Sequence, residues 1–272
     1  MATLTPAEQA LRDGDPQQAL RLLQDQIRSA PADAKLRVFL FQLLCVLGQW
    51  ERALNQLTVA GELDASTLAM VQTYREAIQC ERLREDVFKG KRVPLLFGEP
   101  QAWVALLIEA MLRDGQGSFD DAQKLRDQAF DQAPSSCGQI DGKAFTWLAD
   151  ADMRLGPVLE AVVNGRYYWV PMAHLAKITL EKPVDLRDCV WTAAHLEFTN
   201  GGESVALVPT RYSGTDLAQA SLALARLTEW NEPRPGVFAG VGQRVLTSDV
   251  GDFGLMDVRS IVFDPIGDSA DA

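Results

Sequence analysis

The strongest constraint on what this chain can fold into is a pattern that recurs thirty-four residues on. Gly14, Ala19, Leu20 and Leu23 return as Gly48, Ala53, Leu54 and Leu57. Gly117, Ala122, Leu125 and Pro134 carry it a third time, and Gly117–Ala122–Pro134 reproduces both spacings of Gly14–Ala19–Pro31. Each position has a physical reason. A turn between antiparallel helices needs a residue at positive φ, which glycine adopts without strain. A small alanine early in the second helix lets two backbones approach, and proline ends a helix and redirects the chain. The middle unit departs, with Ala65 where proline would stand and Phe41 at a first-helix position that would otherwise be small.

Apolar periodicity fills in the helices between these marks. Residues 4–13 and 15–29 read as a first pair, with Leu20, Leu23 and Ile27 in one stripe. Asp33 is placed to cap a helix over 34–47 that is apolar on most faces, so it should be sandwiched between neighbours. A long helix is expected over 66–88, capped by Asp64 or Ser66, then a solvated basic loop over Lys89–Pro94. A helix carrying Trp103, Leu106, Leu107, Ala110 and Met111 follows, and 119–131 completes a third pair. The thirty-four-residue period resembles the tetratricopeptide repeat, a helix–turn–helix unit. Such units stack into curved surfaces that hold part of another protein.

Beyond Pro134 the character changes. Short β-rich runs appear at 167–170, 189–191, 205–208, 244–246 and 261–263, separated by turn signals such as Asn164-Gly165 and Ser213-Gly214. Residues 158–163 and 216–227 read as remaining helices. The expected fold is a TPR-like α-helical repeat domain over 1–137, then a smaller α+β domain with a mainly antiparallel sheet over 138–266. A polar tail, 267–272, follows.

The charge balance limits the partners. A net charge of −11 lacks the basic stripe that nucleic acid requires, and both halves are acidic, so an anionic membrane is an equally poor partner. Four scattered cysteines suit a reducing cytoplasm. The first residues show no signal peptide, and no apolar run approaches the ~20 residues of a membrane span. Cytoplasmic residence is the expectation.

Familiar chemistry is missing from the sequence. His174 and His195 are the two histidines, with no metal-ligand spacing between them. Asp150-Ala-Asp152 begins like a calcium loop but fails at Arg154, Leu155 and Ala161. Gly138–Lys143 misses a phosphate loop by one residue, with Ala144 in place of the hydroxyl. No cofactor or metal is expected. What stands out are polar–aromatic segments: 147–157, 164–171 and 209–214. Their carboxylates Asp150, Asp152 and Asp188 could pair internally with Arg154, Arg166 and Arg211, or the segments could form a recognition surface, since Tyr, Trp and Arg concentrate at binding hot spots. Strand alternation puts Arg166, Tyr168 and Val170 on one face and Tyr167 and Trp169 on the other. Only one face is expected to be core. The alternative to a binding protein is an enzyme with an unfamiliar site around Asp150, Asp152 and Arg154.

These segments, with 39–48, resemble the ImpE family, known also as SciE or TagJ. The likeness runs through 155–160, 164–171, 185–188, 209–212 and 242–244, and so spans nearly the whole chain. The resemblance implies a non-catalytic, cytoplasmic adaptor of the bacterial type VI secretion system. It also implies binding to the N-terminal helix of the small sheath subunit (TssB-like), linking the contractile sheath to its disassembly ATPase (ClpV-like). A groove between stacked helices can hold such an amphipathic helix. First helices usually face the concave side of a repeat array, which nominates Arg37, Phe41 and Leu44. Arg166, Tyr168, Arg211 and Tyr212 are the candidates of the second domain.

Overall fold

A computed structural model describes residues 4–234 and 236–265; the expected tail at 267–272 lies outside the described residues. Seven long helices come first: α1 (Pro6–Arg12), α2 (Pro16–Ser29), α3 (Ala34–Val46), α4 (Trp50–Leu63), α5 (Leu68–Phe88), α6 (Ala102–Gly115) and α7 (Phe119–Gln132). α1–α2, α3–α4 and α6–α7 form the expected hairpins, while α5 stands alone between them. Gly14, Gly48 and Gly117 turn the three hairpins at φ of 83°, 67° and 77°, as the repeat requires. Asp33 caps α3 through the N–H groups of Lys35 and Leu36. Asp64 caps a 3-10 turn at Ala65–Thr67 that leads into α5.

Between α5 and α6 the chain inserts a two-residue strand, β1 (Leu95–Leu96). The others are β2 (Gly138–Ile140), β3 (Lys143–Phe145), β4 (Leu148–Asp150), β5 (Val158–Val163), β6 (Arg166–Pro171), β7 (Leu175–Leu180), β8 (Trp191–Phe198), β9 (Glu203–Pro209), β10 (Thr228–Arg234), β11 (Val237–Gly242), β12 (Val245–Ser248), β13 (Gly251–Gly254) and β14 (Ser260–Phe263). The main sheet runs β1-β6-β5-β9-β8-β7-β14-β2-β3. Its pairs are antiparallel except β1–β6. β13-β12-β4 form a small second sheet, and β10–β11 a ribbon. Asn164 and Gly165, both at positive φ, form the turn the sequence indicated, and it closes a β5–β6 hairpin.

Three expectations need correcting. Residues 158–163 are strand, not helix: every one is buried because the strand has cover on both sides, and a short apolar run satisfies that as well as a helix does. Of 216–227 only the single turn α8 (Ala220–Ala223) is helical. The sheet also has two buried faces. Tyr167 and Trp169 pack with the helices, whereas Val170 and Leu159 belong to a second core that includes Leu196, Val208, Ile261 and Phe263. The alternation was right, but both of its faces are interior.

The helices sit on the first face, and the strand-rich half grips them at the turns. Arg226 donates to the carbonyls of Leu11 (2.7 Å) and Arg12 (3.2 Å) at the end of α1. Arg211 donates to Cys45 and Val46 at the end of α3. Arg234 reaches the α6–α7 turn, where it bonds Asp114 Oδ1 (2.6 Å) and Phe119 O (2.9 Å). At the ends of α1 and α3 the cation meets last helix carbonyls that lack partners within the helix. Each of the three glycine turns is therefore braced by an arginine from residues 211–234.

Candidate functional site

The junction between helices and sheet is built on buried charge. Glu160 is the single charged residue in β5, and it points at the helices, where a bare carboxylate would be costly. Arg84 on α5 meets it through Nε at 2.7 Å and Nη2 at 3.0 Å. Arg244 pairs with both Glu160 and Asp150, and the Tyr167 hydroxyl also bonds Glu160. Burial opposes ionisation of Glu160, but the Arg84 and Arg244 guanidiniums outweigh it and hold the carboxyl down at about 2. At Asp150 burial wins over Arg244 and pushes the carboxyl up to about 6. The Tyr212 hydroxyl lies 3.0 Å from both Asp150 Oδ1 and Val245 O. Next to this cluster Asp152 pairs with Arg154 and accepts the Gly240 N–H at 3.0 Å.

Above the cluster opens a cleft of about 460 Å³. The α3–α4 turn (Gly48, Trp50), the end of α5 (Glu81, Arg84, Phe88, Lys89), Arg154 and the loop 211–217 line it. A second, shallower groove of about 520 Å³ lies between the start of α1, the outer side of α2 and the start of α3. Pro6, Leu22, Ala30 and Leu36 make it apolar, with Asp25, Gln26 and Ser29 on its walls. Gln26 Oε1 is buried there without a hydrogen-bond partner.

The structure sorts the residues singled out in the sequence. Arg211, Tyr212, Asp150, Asp152 and Arg154 do come together at the junction. The two aspartates are spent on Arg244, Tyr212, Arg154 and backbone amides, so the carboxylates of the enzyme alternative do not face the cleft as free groups. Phe41 and Leu44 are correctly placed on a first helix, but the trough they were expected to line is closed. Phe41 is fully buried against Tyr74 (ring centroids 5.6 Å), Tyr74 against Trp191 (5.7 Å), and Trp191 against Trp50 (6.0 Å). A 3-10 turn at Leu186–Cys189 also packs on α3. The concave side is thus filled by the chain's own second half. Arg37 is half-buried and bonds Pro31 O and Gln56 Oε1. Arg166 is exposed at the start of β6, and Tyr168 packs edge-on to Phe97 (5.3 Å) on the far side of the sheet.

The expected internal pairing is right for Arg154 with Asp152, but Asp188 accepts backbone N–H groups of Val184 and Asp185 instead. His174 is held by Phe97 O and Gln101, and His195 by Glu203. Burial pushes the Cys189 thiol up, away from a reactive thiolate. Sequence reasoning missed Arg84, Glu160, Glu81 and Arg244. A lone glutamate inside Val158–Val163 was the available signal, because such a carboxylate demands a buried cation. No helix among the described residues is long and apolar enough to cross a membrane.

A helical-repeat array whose inner side is roofed by its own strand-rich half, joined through buried ion pairs, defines the class of this protein. Models of known families match both parts: Tetratricopeptide repeat over 10–77 and ImpE protein over 142–262. The chain is 51% identical over 260 residues to the Type VI secretion system accessory component TagJ of Pseudomonas aeruginosa, covering 95% of this chain and 91% of that protein. The crystal structure of protein VPA1032 from Vibrio parahaemolyticus superposes with a TM-score of 0.87, covering 96% of this chain and 98% of that one at 24% identity; this likeness shows the shared fold. The chain belongs to the ImpE family.

Proposed function

We propose that the chain is a cytoplasmic accessory component of a type VI secretion system that holds the N-terminal helix of the small sheath subunit (TssB-like). Through it the chain links the contractile sheath to a disassembly ATPase (ClpV-like). The observation that carries this reading is the 51% identity to TagJ over almost the full length. With the concave trough filled, the partner helix docks in the α1–α2–α3 groove. Its apolar side covers Leu22 and Leu36, and a hydrogen-bond donor meets the orphaned Gln26 Oε1. The net acidity of the chain favours basic residues around the apolar side of the partner.

Fluorescence anisotropy with a labelled peptide of the sheath subunit's N-terminal helix tests this. Wild-type protein should bind saturably, and Leu22→Asp combined with Leu36→Asp should weaken binding at least tenfold, about 1.4 kcal/mol, without changing far-UV circular dichroism. Absence of binding to wild type at high micromolar protein sinks the function. Undiminished binding by the double variant sinks only the groove.

A further inference from the structure

Among the buried arginines Arg84, Arg126, Arg211 and Arg244, Arg211 alone lies in no salt bridge among the described residues. Its side chain is interior, with the residue 5% exposed. Nη1 donates to Val46 O (2.8 Å) and Ala223 O (2.6 Å), and Nη2 to Cys45 O (3.3 Å). A guanidinium has five N–H donors, so Nε–H and one Nη2–H are left, and Arg211 lines the junction cleft. The two wall carboxylates are already engaged. Glu81 takes Trp191 Nε1 (2.9 Å) and Arg84 Nη1 (3.3 Å), and Glu85 pairs with Lys89. A largely buried cation with no carboxylate in contact is expensive, and burial, partly offset by the nearby Glu81 carboxylate, pushes the Arg211 guanidinium down to about 10.

We propose that the junction cleft is a binding site for a carboxylate, received by the free N–H pair of Arg211. Adjacent N–H groups on one guanidinium match the two oxygens of a carboxylate, and about 460 Å³ is enough for a small-molecule ligand or an acidic side chain. Arg154, also at the cleft wall, spends Nε and Nη2 on Asp152, and its Nη1 has no hydrogen-bond partner among the described residues. Trp50 and Phe88 supply apolar wall for the ligand's carbon chain. The site goes beyond the helix-docking reading and does not depend on it, since the apolar groove on α1–α2–α3 is a separate surface.

The test is a titration of the full chain followed by side-chain Nε–H resonances in 15N NMR. Glutarate represents a free carboxylate and an acetylated Glu-containing tetrapeptide represents an acidic side chain, each against sodium chloride at equal ionic strength. The Arg211 resonance should shift saturably with a Kd of about 1 mM or tighter, and the probe with the lower Kd identifies the source. Ser213→Trp, which adds bulk to the loop side of the cleft and leaves the Arg211 side chain in place, should raise that Kd at least tenfold. Arg211→Lys, if it folds, should abolish binding while retaining the charge. No response to either probe beyond that of chloride overturns the proposal. So does an unchanged Kd in Ser213→Trp, or tighter binding of inorganic phosphate than of both carboxylates.

Discussion

The two faces of the main sheet are packed by different means. The face turned away from the helices buries Leu159, Leu196, Val208 and Ile261 in an apolar core. The face under the helices buries Trp169 and Trp191 but also Glu160, Arg84 and Arg244. An apolar core tolerates changes of shape because its contacts are non-directional. A buried ion network accepts one arrangement, because each charge depends on a particular partner. The first face makes the sheet, and the second fixes where the helices sit on it.

That contrast gives the largest expected effect. Glu160→Gln keeps the shape of the side chain but strips Arg84 and Arg244 of their shared anion, and should cost about 3–5 kcal/mol in urea unfolding. Leu196→Met, an equally conservative change on the other face, should cost less than about 1.5 kcal/mol. Equal costs for the two would erase the distinction.

Acidity probes the same face more gently. The folded Asp150 carboxyl is raised above its unfolded value of 3.8, to about 6, so its protonation favours the folded state and its contribution grows as pH falls through 6. Glu160 works in the opposite direction: its stabilisation is complete above its unfolded value of 4.5 and is lost as pH falls toward about 2. Between pH 7 and pH 5 the Asp150 effect should add about 1 kcal/mol, read as the wild-type change in unfolding free energy minus that of Asp150→Asn. A difference of the opposite sign would show that Asp150 is held as an anion.

The smallest effects compare two turns. Gly48→Ala and Gly117→Ala both force alanine to positive φ, about 1–2 kcal/mol each. At Gly48 the new Cβ would also sit 2.5 Å from Leu217 Cδ1, whereas at Gly117 it meets nothing within 4 Å. Thermal melts should therefore rank Gly48→Ala as the less stable, and equal melting would mean that Leu217 yields freely.

Legibility in the sequence followed the range of the interactions. The glycine turns, the Asp33 cap and the Asn164-Gly165 turn depend on a few adjacent residues, and all are as the sequence indicates. Val158–Val163 was ambiguous because a fully covered strand loses the alternation that distinguishes strand from helix. β1 has two residues and no pattern to detect. The junction was least visible: Arg84 and Glu160 are 76 positions apart, and no local rule pairs them. Phe41 and Leu44 could be assigned to a first helix, but the hairpin pattern says nothing of Trp191, which arrives to cover that side.

Arg211, Arg226 and Arg234 are all translated long after the helices they brace. A ribosome-bound chain that has emitted only α1–α7 presents unbraced turns and an aromatic surface around Phe41 and Tyr74 still waiting for Trp191. The inner side of the repeats is thus exposed during synthesis and is covered when the last third of the polypeptide folds back over it. Premature termination in that last third would yield a client for chaperones and proteases, not a shortened working version of the protein.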